Sequence, residues 1–380
     1  MSEYQFYEFQ AIDRPLTTQE MGKLREYSSR ATITATRFVV DYSFGHFKGD
    51  ESGWMERYFD AFLYLANWGT HQLMLRLPRR VLPLEAAKPY CVGDPAAVTA
   101  KGDHVILDFH SEDEEGEGWI EEDGSALASL IPLRAELAGG DLRMLYLAWL
   151  CCVEDGEVDD DDVEPPCPPG LGKLSAPLEA FVEFMRADRD LVAAAAAASP
   201  DAVVGEDDQD VHRWLAALPE DEKTALLVRV VDGGESHLRA ELLRRFRESR
   251  KGGALRSQER RRTVGEIRKA AEERAGERRR EEAERAERER ARREREAAEK
   301  REQHLAALAK REVEAWREVD ALIATKQPKK YDEAVALLRD LRDVCARDGR
   351  QDHADARIAR LRAQHAKKPS LLQRMSEAGL

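Results

Sequence analysis

Aromatic and polar residues alternate through Tyr4-Gln5-Phe6-Tyr7-Glu8-Phe9, the period of a half-buried strand. Asp13-Arg14-Pro15 ends it. Thr17, Thr18 and Glu20 then open a helix expected to reach about Arg30. Thr32 to Tyr42, rich in β-branched and aromatic residues, predicts a second strand. Apolar residues at 54, 55, 58, 59, 62, 63 and 65 predict a buried helix over Trp54 to Leu65. Alternation returns at Gln72 to Leu77 and again at His104 to Phe109. This order predicts one sheet covered by helices, an α+β domain over residues 1–124.

From Ser125 the period becomes helical: Ala126 to Ala138, Asp141 to Glu154, Ala176 to Ala198, Gln209 to Leu218, and Asp221 to Val231 running on to about Ser249. These predict a helical subdomain over 125–250. Pro165, Pro166, Pro168, Pro169 and Gly170 form a stiff linker, 165–170, within it. Gly252-Gly253 then punctuates the chain. Leu255 to Ala324 contains no proline, and its only glycines are Gly265 and Gly276. Glu272 to Glu302 holds twelve acidic and twelve basic residues, with Ala as its only apolar type. Glu281–Arg285, Glu284–Arg288, Glu289–Arg293 and Glu296–Lys300 are i,i+4 pairs, each worth about 0.2–0.5 kcal/mol to an isolated helix. Without a heptad seam, 251–304 reads as a single solvated helix; a coiled coil and a helix packed on the body are the alternatives.

Apolar periodicity resumes at Leu305, Leu308, Val313, Trp316, Val319, Leu322 and Ile323, and again over Asp332 to Arg347 and Asp352 to His365. A small helical bundle over 305–380 follows, and the whole is mainly α. Trp316, Tyr331, Leu338, Leu371, Leu372 and Met375 are its candidate protein-docking residues. Tyr331, Ala334 and Leu338 carry the spacing of the second helix of a tetratricopeptide-like hairpin. That architecture normally needs three or more repeats.

Charge divides the chain. Residues 1–240 carry 46 acidic and 21 basic groups, a net of −25; residues 241–380 carry 28 and 39, a net of +11. An acidic body of that charge argues against non-specific contact with nucleic acid or anionic membrane. The basic run Arg244, Arg245, Arg247, Arg250, Lys251, Arg256, Arg260, Arg261 and Arg262 is the candidate nucleic-acid contact, set against pairing with the acidic body. Five irregularly spaced cysteines, Cys91, Cys151, Cys152, Cys167 and Cys345, fit thiols in a reducing, cytoplasmic setting. Met1 to Gln10 carries Glu3 and Glu8 and does not read as a secretory leader, and no apolar stretch is long enough to cross a membrane.

Chemistry-bearing patterns are sparse. Cys151, Cys152 and Cys167 lack zinc-knuckle spacing. Ser111 to Glu122 places Gly116 and Glu122 as a calcium loop does, but with Ser in the first ligand position. Glu154 to Glu164 is a second acidic cluster. His46, Asp50, Glu51, Asp60 and His71 cluster loosely in sequence, and no phosphate-cradling glycine motif occurs. Neither a catalytic residue nor a metal or cofactor ligand is assigned. The glycine-flanked loop Gly45 to Asp50, with Trp54 and Trp68, is the first choice for recognition by the body.

Tyr7-Glu8-Phe9-Gln10-Ala11-Ile12-Asp13-Arg14-Pro15-Leu16 resembles the start of an uncharacterised family of bacterial proteins. Tyr331 to Leu341, with Lys368-Pro369-Ser370-Leu371-Leu372 to Ala378-Gly379-Leu380, resembles the C-terminal tail of some bacterial proteins carrying SWIM-type zinc fingers. The finger's C-x-C and C-x-H are not present. The resemblance implies a shared docking tail with no activity attached.

The expectation is a non-enzymatic adaptor that binds other proteins at its two ends, with oligomeric state left open. The alternatives are a nucleic-acid-associated regulator using 244–262, and an enzyme housed in the N-terminal domain.

Overall fold

A computed structural model of the chain describes residues 4–113, 125–201, 208–231, 237–251 and 261–380. Two compact units make it up, Met1–Glu277 and Arg278–Leu380.

The first unit is organised on seven antiparallel strands: β1 (Gln5–Gln10), β2 (Thr32–Ile33), β3 (Arg37–Tyr42), β4 (Ala61–Ala66), β5 (His71–Pro78), β6 (Ala96–Lys101) and β7 (His104–Ser111), in the order β2-β3-β1-β4-β5-β7-β6. Thr17 and Glu20 form a reciprocal capping box that starts α1 (Thr18–Tyr27). With α2 (Glu51–Arg57), α1 covers one face, whose core includes Phe9, Phe38, Trp54, Phe59 and Phe62. The expected strand over 32–42 is broken at residues 34–36 into β2 and β3, which pair as Thr32↔Val39 and Ile33↔Phe38.

The expected helix over Trp54 to Leu65 is corrected: it is the end of α2 followed by β4. Asp60 marks the change, its N–H bonding to the Gln10 carbonyl as β4 pairs with β1. Nearly every residue of β4 is buried, so the strand shows no polar alternation and its apolar run mimics a helix. Strand β6 and the short helix α3 (Leu84–Ala87) were not anticipated either.

The other face of the sheet is covered by α4 (Ser125–Leu130), α5 (Pro132–Ala138), α6 (Arg143–Glu154), α7 (Ala176–Phe184) and α8 (Arg189–Ala196). One continuous core joins Leu63, Leu75, Leu107 and Phe109 of the sheet to Leu133, Leu147, Trp149, Phe181 and Leu191 of these helices. The helical region thus shares its core with the sheet. Pro165 and Pro168 are buried, so the proline-rich stretch packs against the unit. The expected helix Ala176 to Ala198 is split by Arg186, a non-glycine residue at φ 56°. Next come α9 (Asp208–Ala217), α10 (Glu220–Val231) and α11 (Leu238–Lys251).

Helix α12 runs from Val264 to Lys310, 47 residues or about 70 Å of helix. Val264, Ile267 and Ala271 enter the core of the first unit. Residues 277–304 are exposed without exception. Leu305 and Leu308 enter the core of the second unit. The pairs Glu284–Arg288 and Glu289–Arg293 form at 3.3 and 2.5 Å, while Glu296 turns back to Arg292 at 3.5 Å.

The second unit adds α13 (Glu312–Ala324), α14 (Pro328–Arg347), α15 (Gln351–Gln364) and α16 (Pro369–Glu377). Arg301 bonds Asp340 and Asp343, and His304 bonds Asp340, fixing the last turns of α12 to α14.

Candidate functional site

The basic run folds onto its own unit wherever it is described. Arg244 donates to the Arg80 carbonyl at 2.9 Å, Arg247 to the Gly139 carbonyl, and Arg245 pairs with Glu222 beneath Trp214. Arg261 reaches the Glu164 carbonyl at 3.3 Å. Arg262 is the most engaged: Nε and Nη2 donate to Glu164 at 3.0 and 2.8 Å, and Nη1 to the Ala194 carbonyl at 3.0 Å. Tyr146 donates to the same carboxylate at 2.6 Å. Burial alone would raise the Glu164 pKa, but these donors outweigh it and hold the carboxyl below its ordinary value. The clamp sits two residues ahead of α12. Arg256 and Arg260 lie outside the described residues, as do the side chains of Arg250 and Lys251.

The expected docking side chains are instead the second unit's own core. Trp316, Tyr331, Leu338, Leu371 and Met375 are all buried, and Leu372 is half-buried. Arg357 lies 4.3 Å above the Trp316 ring and seals it from outside. An apolar period of 3.6 marks a face to be covered, and α13 to α16 cover one another.

The loosely clustered acids and histidines are not brought together. Asp60 is fully buried at the end of the sheet where β4 begins; His71 is at the other end, where it opposes Ser111. Asp50 caps α2 and His46 is exposed. His104 opposes Pro78, at the end where β5 finishes.

Around Asp60 is a network that sequence reading missed. Its carboxylate accepts the Ile12 and Asp13 N–H groups at 2.7 and 2.8 Å and the Arg76 guanidinium at 2.7 and 3.2 Å. Arg134 grips Asp13 with two bonds, at 2.9 and 2.6 Å, and His237 approaches Asp13 at 2.9 Å. Burial works against the Asp13 charge, yet the His237 and Arg134 bonds lower its pKa well below the carboxylate range. A signal existed: Asp60 and Arg76 are single charges inside apolar runs, and such a charge must find a partner.

A recess of about 410 Å³ lies where β5 starts and β7 ends. Asp94, Glu112, Asp113, Glu154 and Asp155 line it together with His110, Ser111, Cys151 and Arg186. His71 is tied to the same corner. Its Nδ1 lies 3.0 Å from the Phe184 carbonyl and therefore carries the proton; its Nε2 accepts from Arg186 at 3.0 Å. The ring is neutral, and burial lowers its pKa further than the Phe184 bond restores it. Ser111 Oγ donates to the Met185 carbonyl at 3.2 Å, and the Cys151 thiol, its pKa raised by burial, points to the Leu147 carbonyl. Among the described residues no hydrogen bond joins the Ser111 hydroxyl or the Cys151 thiol to a carboxylate or an imidazole.

Cysteine thiols Cys151 and Cys152 are buried among the helices, and among the described residues no group of three His, Cys, Asp or Glu side chains is placed to hold a metal ion. Gly116 and Glu122 of the calcium-like loop lie outside the described residues. No described helix is long and apolar enough to cross a membrane. Comparison of the chain with family models, curated proteins and solved structures gives no match.

Proposed function

We propose that this chain is a non-enzymatic adaptor, its two units binding different proteins and α12 acting as the spacer between them. The observation that carries the reading is α12 itself. One helix supplies core residues to two hydrophobic clusters and leaves 277–304 bare between them. Alternating Glu and Arg on that stretch supply local ion pairs in place of a packed face. The Arg262–Glu164–Tyr146 clamp supports it too, because it fastens the start of the helix to the first unit.

The engagement of Arg244, Arg245, Arg247, Arg261 and Arg262 by their own unit favours protein partners over nucleic acid. The likeness of the last residues to a docking tail favours the second unit as one binding end, through its outer faces. Excising Glu281–Glu302 tests the reading. Each unit should keep its fold and its own partner, while the complex that joins the two partners is lost. A shortened chain that assembles and works like the intact one contradicts the spacer.

A further inference from the structure

Three tyrosines meet on the α1–α2 face of the sheet, at the end where β1 begins. Tyr7 on β1 faces Tyr64 on β4 directly across the ladder, and Tyr42 on β3 opposes Gln5, two residues before Tyr7 on the same face. The Tyr7 ring centre lies 4.7 Å from Tyr64, 4.8 Å from Phe47 and 6.0 Å from Tyr42. Tyr7 and Tyr64 both donate to one acceptor, Gln5 Oε1, at 2.7 and 3.2 Å. Gln5 Nε2 donates away from the group, to the Gly45 carbonyl at 3.0 Å. The Tyr7 and Tyr64 hydroxyls are thus both directed at Gln5.

Glu51 completes the cluster. It is the first residue of α2 and precedes the buried Trp54 and Met55 by three and four positions. That spacing places it on the face of α2 that meets the sheet. Among the described residues no lysine or arginine pairs with it. Burial raises its pKa, and its charge in turn acts on Tyr7 and Tyr64. The rim is open: Tyr42, Phe47 and Tyr64 are half-buried. Arg30 already lies 5.9 Å over the Tyr42 ring, so a cation of the chain itself uses one of these faces.

We propose that Glu51, Tyr42 and Tyr64 form a binding site for an alkylammonium group, of the kind carried by a free amine or a lysine side chain. The carboxylate would take the charge, and the electron-rich ring faces the ammonium and its adjoining methylenes. Anions are disfavoured by the same features. Trp54, expected at sequence level to join such a surface, is buried beneath it. This inference goes beyond the adaptor reading and stands or falls without it, because it concerns one unit and makes no use of α12.

The test is ligand-observed saturation-transfer NMR on the full chain, with n-butylammonium, the neutral n-butanol, and Nα-acetyl-lysine methylamide as probes. Butylammonium should bind saturably and about tenfold or more tighter than butanol, the effect of one added charge-assisted contact. Glu51→Gln should abolish that preference. Tyr64→Phe, which keeps the ring, should retain it. Tyr42→Leu, which leaves the carboxylate in place, should weaken binding several-fold. Tighter binding of the lysine amide than of butylammonium would identify a peptide side chain as the ligand; the reverse would identify a free amine. Equal binding of butylammonium and butanol overturns the proposal. So does an ammonium preference that survives in folded Glu51→Gln, because the net charge of the unit would then explain it.

Discussion

The first unit buries charge and the second does not. Glu8, Asp60, Arg76, Arg134 and Glu164 lie under the surface of the first, whereas every buried side chain of the second is apolar, aromatic or a cysteine. The difference follows chain connectivity. The bundle is built of helices consecutive in sequence, so short connections bring their apolar faces together. The first unit must join β1, the β4–β5 pair, α5 and the segment before α12, which are remote in sequence. Arg134 is 121 residues from Asp13, and Arg262 is 98 from Glu164. Apolar surfaces are non-directional, and geometry-bound ion networks fix how such layers meet.

Breaking the Asp60 network should give the largest effect. Asp60→Ala leaves Arg76 buried without its counter-charge and orphans the Ile12 and Asp13 N–H groups. The first unit should lose about 3–5 kcal/mol in denaturant unfolding, with the second unit's transition unchanged. A loss below about 1 kcal/mol would mean water replaces the carboxylate. In the bundle, Leu338→Ala removes a fully buried side chain and should cost about 3 kcal/mol, confined to the second unit.

Acid sharpens the contrast next. Asp13 and Glu164 have folded pKa values below their unfolded ones, so their stabilisation is complete above the ordinary carboxylate value. It is lost as pH falls through the depressed values. The stability of the first unit, followed by denaturant midpoint against pH, should decline on acidification below about pH 4.5. Glu164→Gln should flatten part of that decline. The smallest effect belongs to α12, where Glu289→Gln removes one exposed pair with Arg293. Helix stability should fall by only about 0.2–0.5 kcal/mol, measured by amide hydrogen exchange, and less at high salt.

Legibility in the sequence followed the same division. The helices α14 and α15 and the charged stretch of α12 were readable because period and composition are local. Strand β1, with the capping box after it, was readable for the same reason. Trp54 to Leu65 was misread because a strand buried on both faces loses its alternation and matches a helical stripe equally well. The candidate sites were poorly legible. Trp316, Leu338 and Leu371 look like a docking face until the neighbouring helix is placed on them. The positive charge of Arg262 does not announce that Glu164 and Tyr146 will surround it. Glu51 stands out in sequence only as one of a loose group of acids and histidines; its aromatic setting arises once β1, β3 and β4 bring three tyrosines onto one face.

The account depends most on α12 remaining helical between residues 277 and 304 without a second chain. Pulsed dipolar spectroscopy on the 380-residue chain tests this directly, with spin labels in place of Ala283 and Ala306, both exposed. A single narrow distance near 35 Å is predicted at about 1.5 Å per residue, unchanged by dilution with unlabelled chain. A label at Ala291 alone should give no interchain distance. A broad or markedly shorter distribution, or a defined distance between singly labelled chains, would contradict the account.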